Sequence, residues 1–231
     1  MAFKTTLAHM LVLNYPLPPA QVASMIPPPL ELDIHDGAAW LSLLAFEQQQ
    51  FAPLGQLGPR FSFHQINYRT YVKCSGQRGV YFFRMDLDSG WLARTCRVLF
   101  GMPAQKQQIK LHTATTGDDR YHLWELRSPE LEISAHNTDK LAADCAWFLA
   151  PTKGFFAHRN GTVRHFEVAR PPMVPHAAAV KVRRGDFLRH MGISEATAPF
   201  SACLIERSAF AIEDFPPTVA LCRQWMSLTP T

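Results

Sequence analysis

Four polar side chains on alternate positions, Gln65, Asn67, Arg69 and Tyr71, fall within the aromatic and β-branched stretch FSFHQINYRTYVKC. Side chains of a strand alternate between its faces, so these four share one face, and His64, Ile66, Tyr68, Thr70 and Val72 share the other. Amide, guanidinium and phenol groups are costly to bury without partners. The row therefore has two readings. It is the floor of a cavity in which Arg69 grips a carboxylate in a two-pronged pair, or it is the solvated side of a half-exposed strand. A second stretch, FGMPAQKQQIKL at 100–111, carries amines. On a strand, Lys106, Gln108 and Lys110 share a face, and His112 continues the row. A lysine becomes a nucleophile only where apolar burial or a nearby cation activates it. Lys106 is the candidate catalytic amine, although the surrounding Gln105, Gln107 and Gln108 favour a solvated face.

Other chemistries leave no trace. The ten histidines show no HxxxH or HExxH spacing, and no metal or cofactor is expected. His158 and His165 flank the Asn160–Gly161 turn. A two-residue turn pairs them with Val163 and Phe156 and sets them on one face, a weak metal candidate. There is no GxSxG elbow, phosphate-cradling glycine loop or dinucleotide fingerprint. Five scattered cysteines without CxxC spacing point to a reduced, cytoplasmic chain. The net charge of +4 is spread out, and its densest run, KVRRGDFLRH at 181–190, reads as a solvated face rather than a nucleic-acid surface. No apolar run is long enough for a membrane helix. The apolar start of the chain reads as a first strand rather than a signal peptide, because His9 and Asn14 interrupt it.

These residues must be positioned by a sheet. The 231 residues are 47% hydrophobic and 18% charged, enough to bury a sizeable core, and are expected to form a single domain over 1–231. Residues 3–14 read as a strand, PPAQVASMI as a helix between prolines, and AAWLSLLAF as a buried strand. FSFHQINYRTYVKC and GVYFFRMDLD, joined by SGQRG, form a long hairpin. SGWLARTCRVLFG is a helix capped at Ser89, with Leu92, Cys96 and Leu99 or Phe100 inward. The lysine-bearing stretch, YHLWELR and LEISAH follow as strands. A helix begins near Thr138 with Leu141, Cys145 and Phe148 inward. FFAHRNGTVRHFEV makes a second hairpin, and a helix near 184–191 precedes a strand in SACLIERSAFAIE. The fold class is α+β: a predominantly antiparallel sheet or barrel with a few packed helices.

Four segments in order, SMIPPPLELDIHDGAAWLSLLAF, INYRTYV, GVYFFRMDLDSG and CRVLFGMP, resemble the acetoacetate decarboxylase-like superfamily, and in detail its YqjF-like branch. The resemblance covers residues 5 to about 112 well and the C-terminal half loosely. It implies a β-barrel or sheet cone with an interior cavity. In that superfamily's decarboxylases a lysine pair after a proline supplies the Schiff-base amine and the cation that activates it. Laid on this sequence, the pair falls on Ala104 and Gln105. The active-site glutamates fall on Gln65 and Leu41, and an arginine near the first strand falls close to Ala8, beside His9. The resemblance thus implies the superfamily's cavity without its lysine chemistry.

Three functions are therefore set side by side. The first is a protein binding a small organic acid or carbonyl compound, with Gln65, Asn67, Arg69 and Tyr71 as ligand-binding residues. The second is a diverged lyase or hydratase acting on a small keto acid through Lys106. The third is a non-catalytic interaction or structural protein. A homo-oligomer is among the expected states, and neither nucleic acid nor membrane is an expected partner.

Overall fold

The computed structural model describes residues 3–52, 59–116, 120–141 and 145–219. The first half holds β1 (Phe3–Leu17), α1 (Pro19–Ala23), β2 (Glu31–Leu32), β3 (Ala39–Phe51), β4 (Phe61–Cys74), β5 (Gln77–Leu87) and α2 (Gly90–Leu99). The second half holds β6 (Ala104–Lys106), β7 (Lys110–Thr115), β8 (Tyr121–Arg127), β9 (Leu131–Leu141), α3 (Cys145–Leu149), β10 (Lys153–Ala157), β11 (Val163–Ala169), β12 (His176–Gly185), α4 (Asp186–His190) and β13 (Ser201–Val219).

Seven strands close on themselves in the order β1-β3-β4-β5-β10-β11-β13, with β13 returning to pair with β1 from Phe3↔Ile212 to Asn14↔Ser201. The barrel is antiparallel except where β10 lies parallel to β5. From β13 the sheet runs on through β12, β9, β8 and β7. This arm packs against the outside of β1, β3 and β4. Leu11, Leu43, Ile66 and Tyr68 meet Trp124 and Ile133 there in one apolar cluster. At about 1.5–3 kcal/mol for each large apolar side chain fully buried, that cluster fixes which face of β4 looks outward.

The remaining face looks into the barrel. The β4–β5 hairpin turns on Ser75 and Gly76, both with positive φ (51° and 77°), the combination a two-residue type I′ turn requires. Register slips once, between Tyr68↔Arg84 and Arg69↔Phe82. The bulge at Phe83 lets Phe82 and Met85, three residues apart, both face the barrel interior. A second bulge, between Ala8 and Leu11 of β1, holds His9 at φ 53°. Its carbonyl accepts a bond from Trp124 Nε1 at 2.8 Å. The bulge therefore ties the barrel to the outer arm.

Several sequence expectations are corrected. The lysine-bearing stretch is two short strands, β6 and β7, split at 107–109. Exposure still alternates through it, with Lys106, Gln108, Lys110 and His112 exposed. Thr138 belongs to β9, and α3 starts only at Cys145, although Cys145 and Phe148 are buried as the helical spacing requires. On α2, Phe100 rather than Leu99 turns inward, and Leu99 is 66% exposed. Cys74 is disulfide-bonded, so the cysteines are not all reduced; linear spacing cannot reveal which thiols a fold brings together. Cys96, Cys145 and Cys203 are not in disulfides.

Candidate functional site

The inward row of β4 is Phe63, Gln65, Asn67 and Arg69, and it forms one wall of a cavity of about 280 Å³ inside the barrel. Opposite and beside it stand Phe46, Phe82, Met85, Leu87, Phe166 and Val168. One end is closed by α2, which presents Trp91, Leu92, Thr95 and Cys96. The pairing Gln65↔Leu87 and the short step from Leu87 to Gly90 place the two amides toward that end. Gln65 Nε2 donates to Asn67 Oδ1 at 2.7 Å, and both side chains are buried.

At the other end the wall becomes basic. Arg69 enters the cavity with its Nε buried and without a hydrogen-bond partner. Its guanidinium carbon lies 6.0 Å from the Tyr71 ring. Arg170, directly after β11, lines the same cavity and donates to the carbonyl of Leu149 at the end of α3. Burial lowers the Arg170 pKa, and the nearby Arg69 cation lowers it further. A third cation, Lys153, is already paired, with Glu167 at 2.7 Å. Among the described lining residues there is no Asp or Glu. Among the described residues the cavity thus holds two guanidinium groups and no balancing carboxylate.

Tyr71 sits one step below this row and does not line the cavity. Its hydroxyl donates to the Phe148 carbonyl at 3.1 Å. Burial raises its pKa, and the adjacent Arg69 cation opposes that rise. It is a positioning residue, which ties β4 to α3 and stands beside Arg69. Lys106 lies elsewhere. It is exposed, and its stem passes over Gly90, where an added Cβ would be 3.1 Å from Lys106 Cδ. Ala104, on the lysine position implied by the resemblance, is packed with Met85, Leu92 and Met102. Of the other implied positions Gln65 lines the cavity, whereas Leu41 lies in the outer cluster and Ala8 is buried beside the β1 bulge. His9 is half-buried there, its Nδ1 2.8 Å from the Tyr121 hydroxyl.

The histidine pair at the second hairpin does not form. His165 pairs with Phe155 and Val163 with Ala157, one residue off the expected register. His158 N–H bonds the Thr162 carbonyl at 2.8 Å, so the loop holds three residues and ends in Gly161 at φ 83°. A one-residue slip moves side chains to the opposite face, so His158 and His165 no longer share one. Among the described residues no three His, Cys, Asp or Glu side chains cluster as metal ligands. No helix among them is long and apolar enough to cross a membrane. Sequence reasoning missed Arg170. It stands in ARPPM, where the prolines read as a loop, and nothing local shows that the barrel closes over it.

A closed barrel with helices at its ends and a cavity inside is the fold of the acetoacetate decarboxylase-like enzymes. The structure is similar to the enduracididine biosynthesis enzyme MppR complexed with pyruvate (TM-score 0.65, 14% identity, 95% of this chain and 91% of that one). It is similar also to an acetoacetate decarboxylase-like enzyme from Sphingomonas wittichii RW1 (TM-score 0.64, 12% identity, 95% and 94% covered). Acetoacetate decarboxylase from Legionella pneumophila aligns with a TM-score of 0.61 at 12% identity, covering 94% of this chain and 87% of that one. Residues 4–208 match DUF2071, described as an uncharacterized conserved protein, and the chain belongs to that family. Among curated relatives it is 32% identical over 104 residues to the uncharacterized protein YqjF of Bacillus subtilis (strain 168). That match covers 43% of this chain and 42% of the relative, less than half its length.

Proposed function

We propose that the barrel binds a small organic acid, its carboxylate held by Arg69 with Gln65 and Asn67 beside it. The observation that carries this reading is the unbalanced charge: Arg69 projects into a largely apolar interior with its Nε unpartnered and no described carboxylate on the wall. A half-buried cation of this kind is stabilised when an anion pairs with it in the fork geometry of a guanidinium. MppR, of similar fold, is described in complex with pyruvate, itself a small acid.

Binding is preferred over lysine chemistry. Ala104 and Gln105 stand where the resemblance places the amine pair, and Lys106 is exposed, without the apolar enclosure that activates a lysine. Isothermal titration with a panel of small acids, wild type beside Arg69→Met, tests the proposal. The expected result is saturable binding weakened by at least about tenfold in the variant, as for a hydrogen bond to a charged group. Borohydride reduction in the presence of keto acids is the companion experiment. A covalent mass increment lost in Lys106→Ala would replace binding with the enzyme reading.

A further inference from the structure

Resting on that acid-binding reading, we infer that the ligand is an amphipathic monocarboxylate: its head lies between Arg69 and Arg170, and its aliphatic or aromatic body runs along the barrel toward α2. The argument starts from how the cavity is divided. Both unbalanced guanidinium groups stand at the α3 end. Arg170 is fixed there by the Leu149 carbonyl, and Arg69 by the stem beneath it and the Tyr71 ring. They are close enough for Arg69 to depress the protonation of Arg170. Two half-buried like charges in a largely apolar cavity repel each other, and one anion between them relieves both. Arg170 is thus the second prong of the head-group site.

The rest of the wall asks for something a short acid lacks. From Arg69 to α2 much of the lining is carried by Phe46, Phe82, Leu87, Phe166 and Trp91, with the amides of Gln48, Gln65 and Asn67 and the Thr95 hydroxyl among the described polar groups. A cavity of about 280 Å³ is close to the lower bound of about 300 Å³ for ligand pockets, and such pockets bury most of their ligand. A pyruvate-sized molecule at the arginines would leave most of this apolar surface uncovered. A hydrocarbon body covers it, and the amides of β4 serve a single polar substituent partway along.

The test is titration of wild-type protein at neutral pH with butyrate, hexanoate and octanoate, beside pyruvate, octanol and octylamine, all below micellar concentration. Affinity is expected to rise about fourfold per added methylene, equivalent to about 0.8 kcal/mol. Octanol and octylamine are expected to bind at least about a hundredfold more weakly than octanoate, since neither satisfies the arginines. Arg170→Met and Arg69→Met each lower octanoate affinity by at least about tenfold. Val168→Phe, which fills the cavity, makes affinity level off at a shorter chain. Pyruvate binding as tightly as octanoate, with no chain-length dependence but with the Arg69 requirement intact, would overturn the amphipathic ligand and leave the acid reading standing. Acid binding indifferent to Arg69→Met would overturn both.

Discussion

Replacing Arg69 by methionine should stabilise the ligand-free protein. The substitution keeps an unbranched side chain along the same path and removes the charge. What is removed is a guanidinium whose Nε is buried and unpartnered, with the Arg170 cation lining the same cavity. An unsatisfied buried donor costs about 1–3 kcal/mol. Against this, the cation stands at the outer limit of contact with the Tyr71 ring, 6.0 Å from its centroid, worth about 0.5–1 kcal/mol. The balance is a gain of about 1 kcal/mol, or about 2–4 °C in Tm for a chain of this size. Thermal and urea unfolding followed by circular dichroism measure it, with acid-free buffer as the essential condition. A Tm that falls instead would mean that Arg69 is structurally satisfied, and the charge imbalance underlying the acid site would lose its basis. A site whose loss stabilises the fold is what the trade-off between stability and function leads one to expect.

Tyr71→Phe deletes the 3.1 Å bond to the Phe148 carbonyl and is expected to cost about 1–3 kcal/mol in urea unfolding, while acid affinity measured by titration falls far less than in Arg69→Met. Gly79→Ala places a Cβ 2.4 Å from the Phe155 ring and 2.9 Å from the Lys153 carbonyl, an overpacking worth about 1–3 kcal/mol that should lower the thermal midpoint. Burial pushes the Cys96 thiol up to about 11, so iodoacetamide labelling at neutral pH, followed by peptide mass spectrometry, should run up to about a hundredfold slower than for an unperturbed cysteine. Arg84→Met strips the bidentate partner from buried Asp86 and is expected to destabilise by about 3–5 kcal/mol in the same unfolding assay.

Local signals carried the parts of the fold that are local. The period-two row on β4 and the hairpin after Cys74 are both readable because each depends on residues within one hairpin, although the connection is the two-residue turn Ser75–Gly76 rather than all of SGQRG. Exposure at Lys106 follows from its glutamine-rich setting even though the strand there is broken. The second hairpin differs at its turn: Asn160–Gly161 reads as a two-residue loop, whereas Gly161 closes a three-residue one, and the slip separates His158 from His165. β12 went unread because HAAAVKVRRG lacks an apolar alternation; its inner residues are only half-buried where it joins β9. Barrel closure depends on pairs such as Phe3↔Ile212, which no window of sequence contains. That closure is also what brings Arg170 to Arg69, so half of the proposed head-group site lay beyond any reading of local pattern.

The two faces of the β4–β5 hairpin treat charge in opposite ways, and this separates architecture from function. Outside the barrel, Arg84 is bonded to both oxygens of Asp86 at 2.6 and 2.8 Å and to Glu130 at 2.6 Å. Gln105 supplies a further donor to Asp86 at 2.8 Å, and His64 meets Asp88 at 2.7 Å. Each of these charges is matched, as a buried ionic network must be if the fold is to tolerate it. Inside, Arg69 on β4 has an unsatisfied Nε and, among the described lining residues, no carboxylate beside it. A chain that satisfies Arg84 so fully does not leave Arg69 unmatched for want of acidic partners nearby in sequence, since Asp86 and Asp88 are on the adjoining strand and its end. The alternation of the strand sends those carboxylates outward and the guanidinium inward. Opposite signs for Arg84→Met and Arg69→Met in one unfolding assay would therefore distinguish a charge that holds the barrel together from a charge that waits for a ligand.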